Sequence, residues 1–383
     1  MRSAKALAAF AWSPAATWPY TCIVAGFPSR PKPIAAEAEP ANTPVHYAFR
    51  SFDRQWIIPD NRLINQPNPG LWAMRSNQQV MLTALSRTSP TSGPAVTVTG
   101  LVPDLDHYNG RGGRVFPLWG DAEAQSSNLR PKLLETLTAR CGREIGSEEL
   151  FAYVVGISGH PTFTNHFKDD LSTPGLRIPI TADVAVFREV ADLGRQVIWL
   201  HTFGERMADA AHGRPEGPPR LPLERRPHIP ADGAIPQGPE SMPEMIEHDS
   251  ARQRLLIGNG HVENVPTAVW CYEVSGKQVL RQWFSYRKKD RERPIIGDRR
   301  PPSQLAFIQP DHWLAEYTTD LINVLNVVGL LVDLEPAQAE LLDRVLAGPL
   351  ISDEELRVAR AFELPPPTKK KAKAQEGATL FDV

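Results

Sequence analysis

The sequence predicts a mixed α/β fold with a helical C-terminal part and a disordered tail. Three observations lead there. Short segments rich in β-branched residues stand between turn signals, as at 96–99 and 254–262. Stretches with apolar residues at helical spacing separate them, as after Thr181. Beyond Leu314 the pattern is helical up to a lysine-rich end.

Taken in order, residues 1–44 read as a poorly ordered leader. Arg2 and Lys5 precede ALAAFAW, which imitates a signal peptide, but Pro14 and Pro19 interrupt the apolar run and no clean cleavage pattern follows. Residues 47–72, YAFRSFDRQWIIPDNRLINQPNPGLW, then bring aromatic, basic and amide side chains together around a strand-like core at Trp56, Ile57 and Ile58. Arginine can reach guanine O6 and N7 in a fork, and asparagine and glutamine can do the same at adenine N6 and N7, so this mixture suits a nucleic-acid surface. The plainer reading is a strand entering a Pro/Asn turn with its charges solvated. Residues 78–86 have helix-like periodicity, and Val96 and Val98 alternate with Thr97 and Thr99 as in a half-buried strand. Gly110, Gly112 and Gly113 permit a tight turn or a close approach of backbone to phosphate.

Two helices are expected next, 129–140 with Leu133, Leu134 and Leu137 on one face, and 148–157 with Ser147 as its cap. Residues 175–180 read as extended. Thr181 then caps a long helix whose stripe of Val184, Phe187, Val190, Ala191, Val197 and Ile198 is core material. Nine prolines in 213–243 predict a long extended loop or a linker, either solvated or, at LERRPHIP, draped on a nucleic acid. Residues 254–265 read as strand, Gly258-Asn259-Gly260 turn and strand, with AVWCYEV continuing the sheet. Leu314, Tyr317, Leu321, Leu325 and Val328 predict one helix and 337–346 another, and Ser352 with Glu355 makes a capping box for a last short one. The tail, 365–383, is low in complexity and reads as disordered, its Thr379-Leu380-Phe381 a weak match to a docking peptide.

Composition excludes several classes. A net charge of −2 argues against a protein that coats nucleic acid indiscriminately, though it leaves room for a local basic patch. The clearest such patch is VLRQWFSYRKKDRER, where Arg281, Arg287, Lys288, Lys289, Arg291 and Arg293 are interleaved with Trp283, Phe284 and Tyr286. It is either a phosphate grip anchored by rings or a solvated face. Three scattered cysteines fit neither a disulfide framework nor a zinc site, which points to a reducing cytoplasm. His160 and His166 lack the carboxylates or thiols of a metal site. No apolar run approaches the roughly 20 residues of a bilayer span.

Chemistry is also missing. SGKQ at 275–278 lacks the leading glycine and the hydroxyl of an ATP loop. The acids of PDLD, 103–106, are followed by no acid-x-Lys element of a nuclease, and no nucleophile, base and acid form a set. The chain has no catalytic residues to assign.

Several phrases resemble, in order, the C-terminal target-recognition region of type ISP restriction-modification enzymes, in which an adenine-specific DNA methyltransferase is fused to a nuclease and a translocase. They are FRSFDRQWIIPDNRLINQPNP, RVFPLW (114–119), LFAYVVGISGHPTF (150–163), GLRIPITADVAVFREVADLGRQVIWLHTFGER (175–206), VWCYEVSGKQVLRQWFSYRKK (269–289) and LAEYTTDLINVL (314–325). The likeness spans about 47–334. It divides the chain into a leader (1–44), two parts of the recognition region (45–212 and 251–364) around the 213–250 loop, and the tail. It implies a double-stranded DNA partner and a separate methyltransferase or restriction subunit. The FxGxG turn for S-adenosylmethionine and the Asn/Asp-Pro-Pro-aromatic phrase for the target adenine are absent, so that cofactor is implied for a partner or a missing domain, and none for this chain. In the family this region follows a methyltransferase domain, so the leader also fits a longer ancestral gene cut here. Arg54, Asn61, Arg62, Asn65 and Gln66 are the candidate base-reading residues, with Arg281, Arg287, Lys288, Lys289, Arg291 and Arg293 as the phosphate grip. Phe52, Asp53 and Arg54 also fit a structural role, fixing the junction with the missing methyltransferase domain. The alternatives are a protein-interaction subunit of a defence complex and an inactive fragment of a longer methyltransferase.

Overall fold

The computed structural model describes residues 8–9, 40–60, 63–64, 68–85, 88–108, 113–173, 175–288 and 310–363. A two-residue strand, β1 (Ala8–Ala9), precedes the antiparallel hairpin of β2 (Val45–Arg50) and β3 (Asp53–Ile57), where the sequence places its strand-like core. The hairpin turns on Ser51 and Phe52, and Phe52 sits at φ 62°, a left-handed conformation costly for a bulky residue. Its ring offsets that cost by burial, edge-on to His201 and Tyr272 at centroid distances of 4.9 and 5.9 Å. The hairpin is thus pinned to the body by its tip. A single-turn helix, α1 (Pro69–Ala73), follows, opened by a proline whose missing N–H would have had no helical partner.

The first sheet has the order β5-β4-β6, with β4 (Met81–Leu85) between β5 (Val96–Thr99) and β6 (Gly113–Pro117), all antiparallel. In place of the helix expected at 78–86, the described residues there hold strand β4. A short apolar run satisfies either period, and here Met81, Leu82, Thr83 and Ala84 are all buried, as in a central strand covered on both faces. β5 is likewise fully buried, and Thr83 and Thr97 satisfy each other through their hydroxyls at 2.8 Å.

Helices α2 (Pro131–Cys141), α3 (Ser147–Ser158) and α4 (Pro161–His166) come next, then β7 (Arg177–Ile178), which pairs with β1, and α5 (Val184–His201). The helices stand where the periodicity puts them, but two caps differ. Ser147 is the first helical residue of α3, after Gly146. Asp183, not Thr181, caps α5, accepting from the N–H groups of Ala185 and Val186, while the Thr181 hydroxyl accepts from the Asp183 N–H. The carboxylate is one residue from the helix and reaches two orphan donors.

α3 and α5 cross at small residues. A Cβ on Gly194 would lie 1.8 Å from the Ala152 carbonyl oxygen, and one on Gly156 would lie 2.4 Å from that of Val190. The backbones touch, so packing is set by glycine and not by interdigitated side chains.

The proline-rich segment is a long loop with single 3-10 turns at Leu223–Arg225, Ala231–Gly233 and Pro239–Ser241, and although most of its side chains are exposed it is anchored to the body. Leu221 is buried, its N–H donates to Asn326 Oδ1 at 2.9 Å, and the Trp199 indole donates to the Pro215 carbonyl at 3.0 Å. Gly204, at φ 85°, meets the Gly217 carbonyl so closely that a Cβ would stand 2.0 Å from it. The segment is a strap across the helices, and the basic LERRPHIP stretch spends its charge on the protein: Arg225 pairs with Asp333 and Arg226 Nε donates to the Leu221 carbonyl.

The second sheet has the order β10-β9-β8, from β8 (Ile246–Asp249), β9 (Arg254–Ile257) and β10 (Gly260–Val262). The expected continuation of this sheet is instead helix α6 (Thr267–Cys271), followed by the small β11 (Glu273–Val274) and β12 (Lys277–Gln278) pair and helix α7 (Val279–Ser285). Pro266, at φ −61°, starts a helix more readily than it extends a strand. The two expected C-terminal helices are one, α8 (Ala315–Ala347), 33 residues with Pro336 inside. One lost N–H there is tolerated because the flanking turns are held by burial of Leu331, Gln338 and Leu342, with Gln338 Nε2 donating to the Gly156 carbonyl at 3.2 Å. By length and composition α8 could cross a membrane, contrary to expectation, but half of its apolar window is buried inside the protein, as in a core helix. Ser352 caps α9 (Asp353–Val358) through the Glu355 N–H at 3.1 Å, as the capping box predicts. One core cluster runs from Phe52 to Ala361, so residues on both sides of the strap share it.

Gly194→Ala is expected to lower the unfolding free energy by roughly 3 kcal/mol or more, because backbone must move to admit the methyl group. Urea unfolding checks this; a change under about 0.5 kcal/mol would contradict the glycine contact.

Candidate nucleic-acid interface

The hairpin positions the site, and an ion pair positions the hairpin. Asp53, the first residue after the turn, lies with both carboxylate oxygens on the Arg287 guanidinium, at 2.6 and 3.1 Å, and the two side chains are 1% and 4% exposed. Arg287 also donates to the Trp283 carbonyl at 2.8 Å and lies over the Trp283 ring, 4.0 Å from its centroid. Burial pushes the Asp53 carboxyl up from its ordinary value, and the Arg287 fork opposes it.

Other charges of the hairpin are also committed. Arg50 pairs with Asp104 at 2.7 Å and lies over Phe49. Arg54 pairs with Glu205 at 2.6 Å and covers the Phe203 ring, which follows α5 at φ 55°. Arg206 donates to the carbonyls of Gln79, Ser76 and Gly100 at 3.0, 3.2 and 3.1 Å, tying the ends of β4 and β5 together.

The expected site residues therefore separate. Arg287 is corrected: it is no phosphate contact but a buried structural cation, because Asp53 needs a partner where water cannot reach. Arg54 holds the hairpin to the turn after α5. Arg281 is exposed and its guanidinium lies 4.7 Å from the Trp270 ring centroid, with His248 near-parallel to that ring at 5.8 Å. Lys288 follows α7 and is part-exposed. Asn61, Arg62, Asn65, Gln66, Lys289, Arg291 and Arg293 lie outside the described residues.

Beside the hairpin opens a cleft of about 110 Å³, between β2, α1, the 103–108 turn and the start of β6. Tyr47, Asn68, Trp72, Asp104, Leu105 and Arg114 are among its walls. Sequence reasoning missed Asp104 and Leu105. PDLD was legible only as a candidate acid pair, whereas Asp104 accepts from Arg50 and from the Asp106 N–H at 2.9 Å and so shapes a turn. Arg114 lies within the RVFPLW phrase, the one sequence signal for this wall.

Behind the hairpin, His107 and His201 are fully buried. His201 Nδ1 accepts from the Val98 N–H at 3.1 Å, so the neutral ring carries its hydrogen on Nε2, and His107 Nδ1 lies 3.2 Å from the Ala48 carbonyl. Burial holds His107 down to about 4 and His201 down to about 3, and His160 is likewise held down to about 4.

The sequence model of the Type ISP C-terminal specificity domain matches residues 26–323. This chain belongs to that family. A search of curated proteins gives no match. Among solved structures, the specificity domain is similar to the cryoEM structure of a DrdV-DNA complex, with 18% identity and a TM-score of 0.54, covering 80% of this chain and 28% of that one. It is also similar to the ATP-dependent Type ISP restriction-modification enzyme LlaBIII bound to DNA, with 13% identity and a TM-score of 0.52, covering 81% of this chain and 19% of that one. At these identities the likeness is one of fold, and the mixed α/β architecture with a helical C-terminal part is shared. The chain spans less than a third of the length of either of those chains.

Two outcomes follow. Arg287→Ala in the specificity domain leaves a buried carboxylate alone and is expected to cost about 3–5 kcal/mol, whereas exposed Arg281→Ala should stay within about 0.5 kcal/mol, both read by thermal or urea unfolding. The three buried histidines have folded values below their unfolded value of about 6.5, so the unfolded chain takes up protons first. Their contribution is complete above pH 6.5 and is lost as pH falls towards 4, by about 3 kcal/mol for a histidine shifted to about 4. Urea midpoints should decline already between about pH 6.5 and 5, above the carboxylate range, and less so in His201→Asn, which keeps an acceptor for Val98.

Proposed function

We propose that this specificity domain recognises a short sequence in double-stranded DNA for a type ISP-like restriction-modification system. The reading rests on membership of the specificity-domain family, together with a fold shared with two enzymes whose structures contain DNA. The hairpin and the cleft beside it form the base-reading side, and Asn61, Arg62, Asn65 and Gln66, which follow the hairpin in sequence, are the base-reading residues. Arg281, held over Trp270, and the Lys288, Lys289, Arg291 and Arg293 run grip phosphates. Stacking on an aromatic ring fixes the plane of a guanidinium without using its N–H groups, which suits Arg281 to that task. Methyl transfer from S-adenosylmethionine to adenine, and cleavage, belong to a methyltransferase or restriction partner or to a domain outside this chain, all in the cytoplasm.

Selection from a random duplex library by the purified chain at about physiological salt is expected to enrich one adenine-containing motif. Binding without enrichment would overturn stand-alone recognition. Arg281→Ala, and separately the Lys288→Ala/Lys289→Ala pair, should weaken binding to all sequences alike and reduce the slope of log K against log salt by about one per lost phosphate contact. An unchanged salt slope would remove the altered residue from the grip.

A further inference from the structure

We propose that the cleft beside the hairpin receives a single nucleobase unstacked from the bound duplex, with Leu105 entering the stack in its place. This deepens the reading of DNA recognition and rests on it.

The cleft has the size and lining for one planar ring. Its volume, about 110 Å³, is well below the roughly 300–1,000 Å³ of pockets for drug-sized ligands. Tyr47 and Trp72 supply aromatic surface, and stacking on such a ring favours any base. The Asn68 amide, the Asp104 carboxylate and the Arg114 guanidinium are donors and acceptors of the kind that meet a base edge. Asp104 does not repel DNA as a bare anion would, because Arg50 pairs with it at 2.7 Å.

Leu105 is the second, independent observation. It lines the same cleft and yet is 57% exposed, at the tip of a turn where polar residues are usual. The turn is stiff: Asp104 N–H donates to the Ala48 carbonyl at 2.8 Å, Asp106 N–H to Asp104 Oδ1 at 2.9 Å and His107 N–H to the Asp104 carbonyl at 3.1 Å. Below it His107 and Tyr108 are buried. Ile57, Ile64 and Val115 line the same cleft, so its wall beside Leu105 is partly apolar. A rigidly mounted apolar side chain beside a ring-sized cleft is the arrangement that unstacks a base step and shelters what leaves it.

The test uses the full chain and the duplex sequence enriched by selection, carrying one 2-aminopurine moved position by position along both strands, with anisotropy of an end label recorded in the same titration. Fluorescence should rise several-fold at one position on binding. Leu105→Ala, an exposed substitution that leaves folding intact, should abolish most of that rise and weaken binding several-fold, and Tyr47→Leu should reduce the rise while circular dichroism is unchanged. Anisotropy that reports sequence-selective binding with no brightened position overturns the base site and leaves recognition standing. A position that brightens equally in both variants also overturns it, since the base then leaves the stack without this cleft. Anisotropy that reports no binding at all removes DNA recognition, and the base site with it.

Discussion

The paired charges of Asp53 and Arg287 set where the most distinctive part of this sequence stands. A carboxylate that is 1% exposed is tolerable only with its lone pairs satisfied, and the guanidinium of Arg287, in the turn after α7 and 234 residues away in the chain, does most of this, with Gln55 Nε2 donating to it as well. The pair fixes the turn of the β2–β3 hairpin against α7. With the turn fixed, Phe52 is held in its left-handed conformation between His201 and Tyr272, Arg50 reaches Asp104, and Arg54 reaches Glu205. The orientation of β2, and hence of one wall of the cleft, follows.

The body that receives the hairpin is stiff for a different reason. α3 and α5 approach until backbone meets backbone at Gly156 and Gly194, and α8 lies along them. The strap, which lacks regular strands, is held in the same way: glycines at 204, 233 and 260 let it come within contact of main chain. A proline-rich segment loses little conformational entropy on ordering, which makes an extended strap a low-cost cover for apolar helices.

Function then divides between charges spent inward and groups left outward. Arg50, Arg54, Arg206, Arg225 and Arg287 serve the fold, although any of them could be counted as a basic surface from composition. Arg281 is positioned by an aromatic ring that leaves its donors to solvent. The apolar Leu105, 57% exposed on a stiff turn beside the cleft, is the inverse case, and the proposed base site gives it a role.

The sequence by itself determined the fold class, the helices at α2, α3 and α5, the 254–262 hairpin, the Ser352 cap and the family, because these depend on local periodicity, turn chemistry and the order of phrases. It placed the region of interest at 47–72, next to which the cleft opens. It did not determine that 81–85 is a strand or that the C-terminal helices are one, since a short apolar run fits two periods and burial decides between them. Nor did it separate Arg287 from Arg281. Six residues apart in one basic run, they differ in that one meets Asp53 in the interior and the other meets Trp270 at the surface. Only tertiary structure assigns a partner to a charge, because the partner is remote in the chain and the assignment depends on which surface of the segment the body covers.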